Sequence, residues 1–140
     1  MDLLERNKTT VRRVFDEGFS QGRTEVVDET LAPEAVDRHP FEPGEEDFRD
    51  HLKAAISMFR LAMPDLRAHV EDIVAEGSTV AARVRMTGTH TGAPLFGIPA
   101  AGHPVDVEQF HFIQVDELGR GLRHWANVGV AELRQQISAA

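Results

Sequence analysis

The sequence predicts an α+β fold, in which N-terminal helices pack on one concave face of a largely antiparallel sheet. Three observations support this prediction. Apolar residues recur at the 3.6-residue period of a helix up to Met63, and they alternate with polar residues from Leu66 onward. Turn sequences such as Glu76-Gly77-Ser78 separate the alternating segments. Helices followed by hairpin-connected strands are typical of an α+β domain.

Three helices are predicted in the first half of the chain. The first runs from Asp2 to about Phe19, because Asp2 can cap it and apolar side chains follow at helical spacing. A short second helix covers about residues 24–31, and a third covers about residues 45–63. The segment between these two helices is predicted to be irregular, because it contains Pro33, Pro40 and Pro43.

The second half of the chain is predicted to form four strands and a final helix. Hairpin turns join the strands, except that a loop rich in glycine and proline connects the second strand to the third. The final helix covers about residues 131–137. The predicted strands are Leu66–Ala75, Thr79–His90, His103–Val115 and Leu122–Val128.

Composition excludes several classes of function. The chain has 140 residues, enough for one domain with a buried core, and a formal net charge of −8. Nucleic acid and anionic membrane surfaces are therefore not expected as partners. The absence of cysteine excludes disulfides and thiolate metal sites. No segment approaches the roughly 20 apolar residues of a membrane span, and the charged N-terminus is unlike a signal peptide, so we expect a cytoplasmic protein.

The sequence contains no motif that would hold a metal ion or a nucleotide cofactor. It has no His-Glu-x-x-His motif or other spaced ligand cluster, and no Gly-x-Gly-x-x-Gly or phosphate-binding loop. We therefore expect neither a metal ion nor an organic cofactor, and we expect a hydrophobic small molecule as the partner.

The strongest candidates for a functional site are Gln109 and His111. They stand two residues apart in the third predicted strand, on a face whose other members are aliphatic. Such a pair can orient a small molecule, because neutral imidazole exchanges protons and the amide can donate to a carbonyl or enolate oxygen. The alternatives are a buried histidine bonded to Gln109 or to a neighbouring strand, and a glutamine that fills a gap or contacts a second subunit.

Five short motifs carry a resemblance to a known family, and together they extend over most of the chain from Phe59 to Gln136. They are Phe59-Arg60-Leu61-Ala62-Met63-Pro64-Asp65-Leu66-Arg67, Val70-Glu71-Asp72-Ile73-Val74-Ala75-Glu76-Gly77, Gly88-Thr89-His90-Thr91-Gly92, Phe96-Gly97-Ile98-Pro99-Ala100-Ala101-Gly102, and His124-Trp125 followed by Leu133 and Gln136. In the order and spacing of these motifs the chain resembles the SnoaL-like polyketide cyclases, a branch of the NTF2-like superfamily.

The resemblance implies a cone-shaped α+β barrel with a deep apolar cavity and no cofactor. It also implies intramolecular aldol ring closure of a polycyclic aromatic precursor, by a Gln-x-His pair on the third strand and a carboxylate on the last one. Gln109 and His111 match the pair. The carboxylate is missing, because the family's aspartate position, four residues after Trp125, is Gly129 in this chain. Asn127 is the nearest polar substitute, but an amide cannot act as a base near neutral pH.

Five further residues are candidates for contact with a ligand. We predict that Trp125, Asn127 and Gly129 share a cavity-facing side of the last strand, although the indole ring could instead pack in the core. His90 has the parity of an inward residue, but it could simply tie down the following loop. His39 lies on the proline-rich connection, which could rim the cavity. The remaining histidines are interpreted as structural, namely His51, His69, His103 and His124.

Three functional hypotheses follow. The favoured one is a cofactor-independent enzyme that acts on a hydrophobic carbonyl compound, as a polyketide cyclase or a related isomerase, with His111 as general base or acid. The second is a hydroxylase or hydrolase variant that lacks the cyclase aspartate. The third is a ligand-binding or scaffold protein without catalysis.

Phe110 and Phe112 point away from the candidate pair, and exposed aromatic side chains on a sheet favour a homodimer.

Overall fold

The structure, a computed structural model, describes residues 2–38 and 47–139. Helices pack against a five-stranded, curved and unclosed sheet, which confirms the predicted α+β class. The helices in these ranges are α1 (Leu3–Arg13), α2 (Val26–Thr30), α3 (Phe48–Ala62) and α4 (Val130–Ile137). The strands are β1 (Leu31–Asp37), β2 (Arg67–Glu76), β3 (Thr79–Thr89), β4 (Pro104–Val115) and β5 (Gly121–Asn127).

The first predicted helix is confirmed, but its second half winds differently. Asp2 caps α1, because its carboxylate accepts a hydrogen bond from the backbone N–H of Glu5 at 2.8 Å. Over Val14–Phe19 the chain continues as a π-helical segment, a form that is frequent at functional sites. Gly18 lets this segment approach α3 closely, since a Cβ there would lie 3.0 Å from the Cδ1 atom of Ile56.

The helix α3 carries the apolar stripe that the sequence predicts. The carboxylate of Asp47 caps it by accepting a hydrogen bond from the backbone N–H of Asp50 at 3.1 Å. Its buried residues recur every three or four positions and pack against the sheet: Phe48, Leu52, Ala55, Ile56, Phe59 and Ala62. None of the described helices is long and apolar enough to cross a membrane.

The prediction of an irregular segment after the second helix is wrong for residues 31–37. These residues form β1, an edge strand that pairs in parallel with β5. An edge strand tolerates Pro33, because within the described sheet one side of its backbone pairs with no other strand. The pairing also sets Asp37 directly beside His124. A segment that looked like a connection therefore contributes a carboxylate to the inner face of the sheet.

The other four strands agree with the prediction, and their two faces differ sharply. The sheet order is β1-β5-β4-β3-β2, and every pair except β1–β5 is antiparallel. Along β4 the side chains alternate between buried and exposed, so Gln109 and His111 face the helices as predicted. Phe110 and Phe112 lie on the outer face, where they are 49% and 54% exposed. The inner face of β4 therefore lies at the centre of the packed side of the molecule.

Candidate functional site

A cavity lies between the helices and the inner face of the sheet, and apolar side chains form most of its wall. It contains about 800 Å³ of space between atoms, counting its open mouth. Among the described lining residues, none is lysine or arginine. The aromatic part of the wall comes from Phe15, Phe19, Phe48 and Phe59. Such a wall favours a hydrophobic ligand without a strongly anionic group.

Five polar residues of the cavity wall form one connected cluster. The Nε2 atom of His111 lies 2.9 Å from the Oε1 atom of Gln109, and its Nδ1 atom lies 2.9 Å from the Nε2 atom of His124. The Nδ1 atom of His124 lies 3.1 Å from the Oδ1 atom of Asp37. The other carboxylate oxygen, Oδ2, lies 3.3 Å from the Nε2 atom of His51. The cluster thus runs from Gln109 to His51 through a buried carboxylate.

Four different elements hold this cluster. Gln109 and His111 come from the central strand β4, while His124 comes from its neighbour β5 and faces the same side. Asp37 is the last residue of β1, and the parallel register puts it next to His124. His51 is contributed by α3, one turn after Phe48. Because regular elements rather than loops carry every member, the geometry of the cluster is held by the fold itself.

The hydrogen-bond pattern fixes where the protons lie. The side-chain N–H of Gln109 donates to the carbonyl oxygen of Val128 at 3.4 Å, so its Oε1 atom faces His111 and accepts. The Nε2–H of His111 is then the donor, and its Nδ1 atom must accept from the Nε2–H of His124. Since His124 also faces the Asp37 carboxylate, the pattern requires one additional proton shared between His124 and Asp37. His111 is neutral, and His124 with Asp37 forms the ion pair.

Two phenylalanine rings match this distribution of charge. Phe15 contacts His111 edge-on, with ring centroids 4.9 Å apart, and burial lowers the pKa of His111 well below its ordinary value of 6.5. The charge of His124 lowers this pKa further, and the carboxylate of Asp37 opposes the shift. Phe48 stacks on His124 at 4.6 Å with an angle of 12° between the planes, an arrangement that stabilises a cation on the ring. The surroundings of His111 therefore favour its neutral form.

The cluster is arranged so that protons can pass between its members. Its nitrogen and oxygen atoms face one another across hydrogen bonds. In residues 2–38 and 47–139, no group of three or more His, Asp or Glu side chains could hold a metal ion.

The prediction that Trp125 and Asn127 line the cavity is wrong. Trp125 lies on the outer face, 39% exposed, beside Phe112 of the neighbouring strand. Asn127 is exposed on the same face, and its side-chain oxygen accepts a hydrogen bond from the backbone N–H of Gly129 at 3.1 Å. The inward residues have the opposite parity, because the β4–β5 register turns His124 and Ala126 toward the cavity.

The prediction that Gly129 leaves room for a ligand is also wrong. This residue precedes α4 with a φ of +68°, a conformation that favours glycine. A Cβ there would lie 3.1 Å from the carbonyl oxygen of Glu108 and 3.5 Å from the Cβ atom of Val107. A side chain at this position would therefore meet the backbone of β4, and Gly129 is not among the residues that line the cavity.

His90 does not reach the cavity, and His39 lies outside the described residues. The ring of His90 is fully buried, and its Nε2 atom lies 2.9 Å from the carbonyl oxygen of Ala93. Its backbone exchanges hydrogen bonds with the far end of the same loop, at Gly102 and His103. His90 therefore holds the loop that follows β3, which is the alternative that the sequence left open.

Sequence reasoning missed three members of the cluster, and two of them carried a signal. His51 lies at helical spacing from Phe48 and Ala55, on the apolar stripe of α3, where an exposed histidine would be out of place. His124 alternates with Ala126, which indicates a partly apolar face. Asp37 had no local signal, because only the parallel pairing of β1 with β5 brings it inward.

Comparisons with known proteins agree with the fold. The family model for SnoaL-like polyketide cyclases matches residues 9–137. A protein from Jannaschia sp. CCS1, described as a candidate SnoaL-like polyketide cyclase, is 25% identical with a TM-score of 0.85, and the match covers 100% of this chain and 96% of that one. IdmH from Streptomyces antibioticus, described as a candidate polyketide cyclase, is 26% identical with a TM-score of 0.78, and the match covers 95% of this chain and 99% of that one. AclR from Streptomyces galilaeus, described as a candidate hydroxylase, is 21% identical with a TM-score of 0.81, and the match covers 96% of this chain and 82% of that one. No curated protein matches the chain by sequence.

Proposed function

Because the chain belongs to the SnoaL-like polyketide cyclase family, we propose that it closes a ring in a hydrophobic, polyketide-type carbonyl compound by intramolecular aldol chemistry. Such a step removes a proton from a carbon next to a carbonyl group and gives a proton to the oxygen of the carbonyl group that is attacked. Imidazole side chains can perform both transfers near neutral pH. Isomerisation of a related ketone through its enol would use the same two transfers.

The observation that carries the proposal is the chain of hydrogen bonds from Gln109 through His111 and His124 to Asp37, on the wall of an apolar cavity. A substrate carbonyl that replaces the Gln109 oxygen as acceptor would receive the Nε2–H of His111. As the new carbon–carbon bond forms, the alkoxide oxygen takes this proton. The Nδ1 atom of His111 then takes the Nε2 proton of His124, which keeps its Nδ1–H on Asp37. One proton moves along the chain to the alkoxide, and the cluster regains it when the proton taken from the substrate carbon is returned through solvent.

Gln109 would have a second role in this step. Its N–H donates to the carbonyl oxygen of Val128 at 3.4 Å, which is a long hydrogen bond. A substrate oxygen at a shorter distance would replace this acceptor, and the amide would then stabilise the developing negative charge. The apolar wall strengthens both interactions, because it keeps water away from the reacting oxygen.

The test uses 2-tetralone, a bicyclic aromatic ketone that exchanges its α-hydrogens through the enol that an aldol step requires. We expect the protein to accelerate this exchange in D2O, followed by NMR, and we expect His111→Gln and Gln109→Leu to lower the acceleration by about 100-fold or more. His69→Gln and Gln135→Leu are matched controls, because both residues are exposed. Acceleration that survives both cavity substitutions would contradict the proposed role of the pair.

Binding is tested separately with a panel of polycyclic aromatic polyketides, terpenoids and steroids. A ligand at 100 times its dissociation constant should stabilise the folded protein by about 2.7 kcal/mol, which thermal unfolding detects. We expect stabilisation by the aromatic polyketides in both the wild type and His111→Gln. Stabilisation without any acceleration of exchange would favour a ligand-binding protein over an enzyme.

A further inference from the structure

We propose that Phe59 limits the length of the ligand that the cavity can hold, and that Phe96 acts through Phe59 as a positioning residue. The inference rests on the proposed function, because it concerns the size of the hydrophobic ketone that would reach Gln109 and His111. Three observations carry it: Phe59 lies at a boundary of the cavity, Phe96 packs behind it, and the backbone at Phe96 has an unusual conformation.

The first observation is a continuous series of rings along the cavity. Each ring packs against the next, with centroids 4.6 to 6.4 Å apart. The members in order are Phe48, His124, His111, Phe15, Phe19, Phe59 and Phe96. All of them line the cavity except Phe96, so in this direction the described wall ends at Phe59.

The polar cluster and Phe59 lie toward opposite ends of α3. Phe48, which stacks on His124, begins this helix, and His51 follows one turn later. Phe59 lies eleven residues after Phe48, which places it about 16 Å further along the helix axis. A ligand whose carbonyl group lies at Gln109 would extend its apolar rings toward the apolar end of the series. Phe59 is the side chain that such a ligand would meet last.

The second observation is that Phe96 supports Phe59 from outside the cavity. The two rings meet edge-on, with centroids 6.4 Å apart and an angle of 78° between their planes. The guanidinium of Arg134, on α4, lies over the ring of Phe96 at 4.8 Å and holds it in place. The loop is also tied to the end of α3, because the backbone N–H of Gly92 donates to the carbonyl oxygen of Ala62 at 2.9 Å. Since Phe96 occupies the space behind it, the ring of Phe59 cannot turn out of the cavity to admit a longer ligand.

The third observation is the strained backbone that presents Phe96. Leu95 and Ile98 exchange two backbone hydrogen bonds, at 3.0 and 2.9 Å, across a tight turn. The two central residues of the turn are Phe96 and Gly97, with φ values of +52° and +75°. Glycine, asparagine and aspartate ordinarily occupy both positions of such a turn. A strained residue of this kind persists only where its surroundings hold it, and such residues cluster at functional sites.

The test measures the dissociation constants of 2-tetralone and of its linearly fused homologues with three and four rings, by isothermal titration calorimetry. We expect Phe59→Leu and Phe96→Gly each to raise the affinity for the longest homologue relative to 2-tetralone by about tenfold or more, because additional apolar length then fits. Glycine accepts the positive φ at position 96, so the turn is kept. A loss of stability alone would not change this ratio of affinities.

Two control variants should keep the wild-type ratio of affinities. Leu61→Ala alters an exposed side chain of the same helix, two residues from Phe59. Ala101→Gly alters an exposed residue of the same loop as Phe96. An increase in either control equal to that in Phe96→Gly would overturn the inference, because the effect would then not depend on the ring.

The outcomes separate this inference from the proposed function. If the wild type accelerates ketone exchange and both variants keep the wild-type ratio, the inference fails and the proposed function stands. If both variants raise the ratio but the wild type gives no acceleration, the cavity limit is supported and the proposed catalysis fails. An increase in Phe59→Leu alone overturns the role of Phe96.

A measurement without any ligand decides the matter if none of the ketones binds. In a crystal structure of Phe96→Gly, displacement of the Phe59 ring into the vacated space would support the inference. A Phe59 ring in its wild-type position would overturn it.

Discussion

Acidification should destabilise this protein through His111 in particular. The ring is buried against Phe15 and near the charged His124, and both lower its pKa in the folded state well below the ordinary value of 6.5. In the unfolded chain the ring is solvated and titrates near 6.5. At a pH between these two pKa values, the ring is protonated in the unfolded state and neutral in the folded state. The stabilisation from a neutral His111 is therefore complete above pH 6.5 and is lost as the pH falls toward the folded-state pKa.

The size of the effect follows from the unfolded chain alone, as long as the folded protein keeps His111 neutral. Protonation of a solvated histidine then lowers the free energy of unfolding by about 1.4 kcal/mol at pH 5.5 and about 2 kcal/mol at pH 5. For a chain of 140 residues, the loss at pH 5.5 corresponds to a decrease of roughly 5 °C in Tm.

The assay is urea unfolding at pH 7.5 and at pH 5.5 for the wild type and for His111→Gln. Every other titrating group contributes to both proteins, so the difference between their two pH dependences isolates His111. We expect the wild type to lose about 1.4 kcal/mol more than the variant. His69→Gln, which removes an exposed histidine, should keep the wild-type dependence. Equal losses in the wild type and His111→Gln would refute the assignment of a neutral, desolvated His111.

Three further predictions concern other parts of the fold. Asp37→Asn should lower the free energy of unfolding by about 3–5 kcal/mol, because it leaves a buried imidazolium without its anion. Asp72→Asn, at an exposed position, should lower it by at most about 1 kcal/mol. Urea unfolding measures both changes. Gly129→Ala should destabilise by about 1–2 kcal/mol because of its positive φ, without changing ketone exchange per folded molecule. Phe112→Asp should convert the expected homodimer to a monomer, as measured by sedimentation velocity. Leu118→Asp, at an exposed position outside the sheet, should leave the dimer intact. A wild-type protein that sediments as a monomer would contradict the expected homodimer.

The strand β4 shows how far sequence alone could go. Over 12 residues its buried and exposed positions alternate almost without exception, so hydrophobicity fixes which face is inward. The inward orientation of Gln109 and His111 was predicted correctly because they occupy buried positions of this long pattern. The seven-residue β5 has polar and aromatic residues on both faces, so its parity could not be deduced from hydrophobicity. Trp125 was therefore assigned to the cavity only because its flat ring suits an aromatic ligand, and this assignment was wrong.

Asp37 was beyond sequence reasoning for a different cause. The pairing of β1 with β5 joins residues nearly ninety positions apart, and no local period reports such a contact. Pro33 also suggested a break in the chain, although an edge strand accepts proline. The chain has glycine at position 129, and the structure supplies a carboxylate from the edge strand β1, which pairs with β5.

The position of that carboxylate changes the chemistry that the cavity can perform. Asp37 lies between two imidazoles, His51 and His124, with one carboxylate oxygen facing each of them. An imidazole is ordinarily more basic than an aspartate by about 2.6 pKa units, so it removes a proton from a weakly acidic carbon more readily. Its conjugate acid still remains acidic enough to protonate an alkoxide. The arrangement therefore suits a substrate whose α-hydrogen is activated by a single carbonyl group, and simple aryl-fused ketones such as 2-tetralone are the probes that should reveal it.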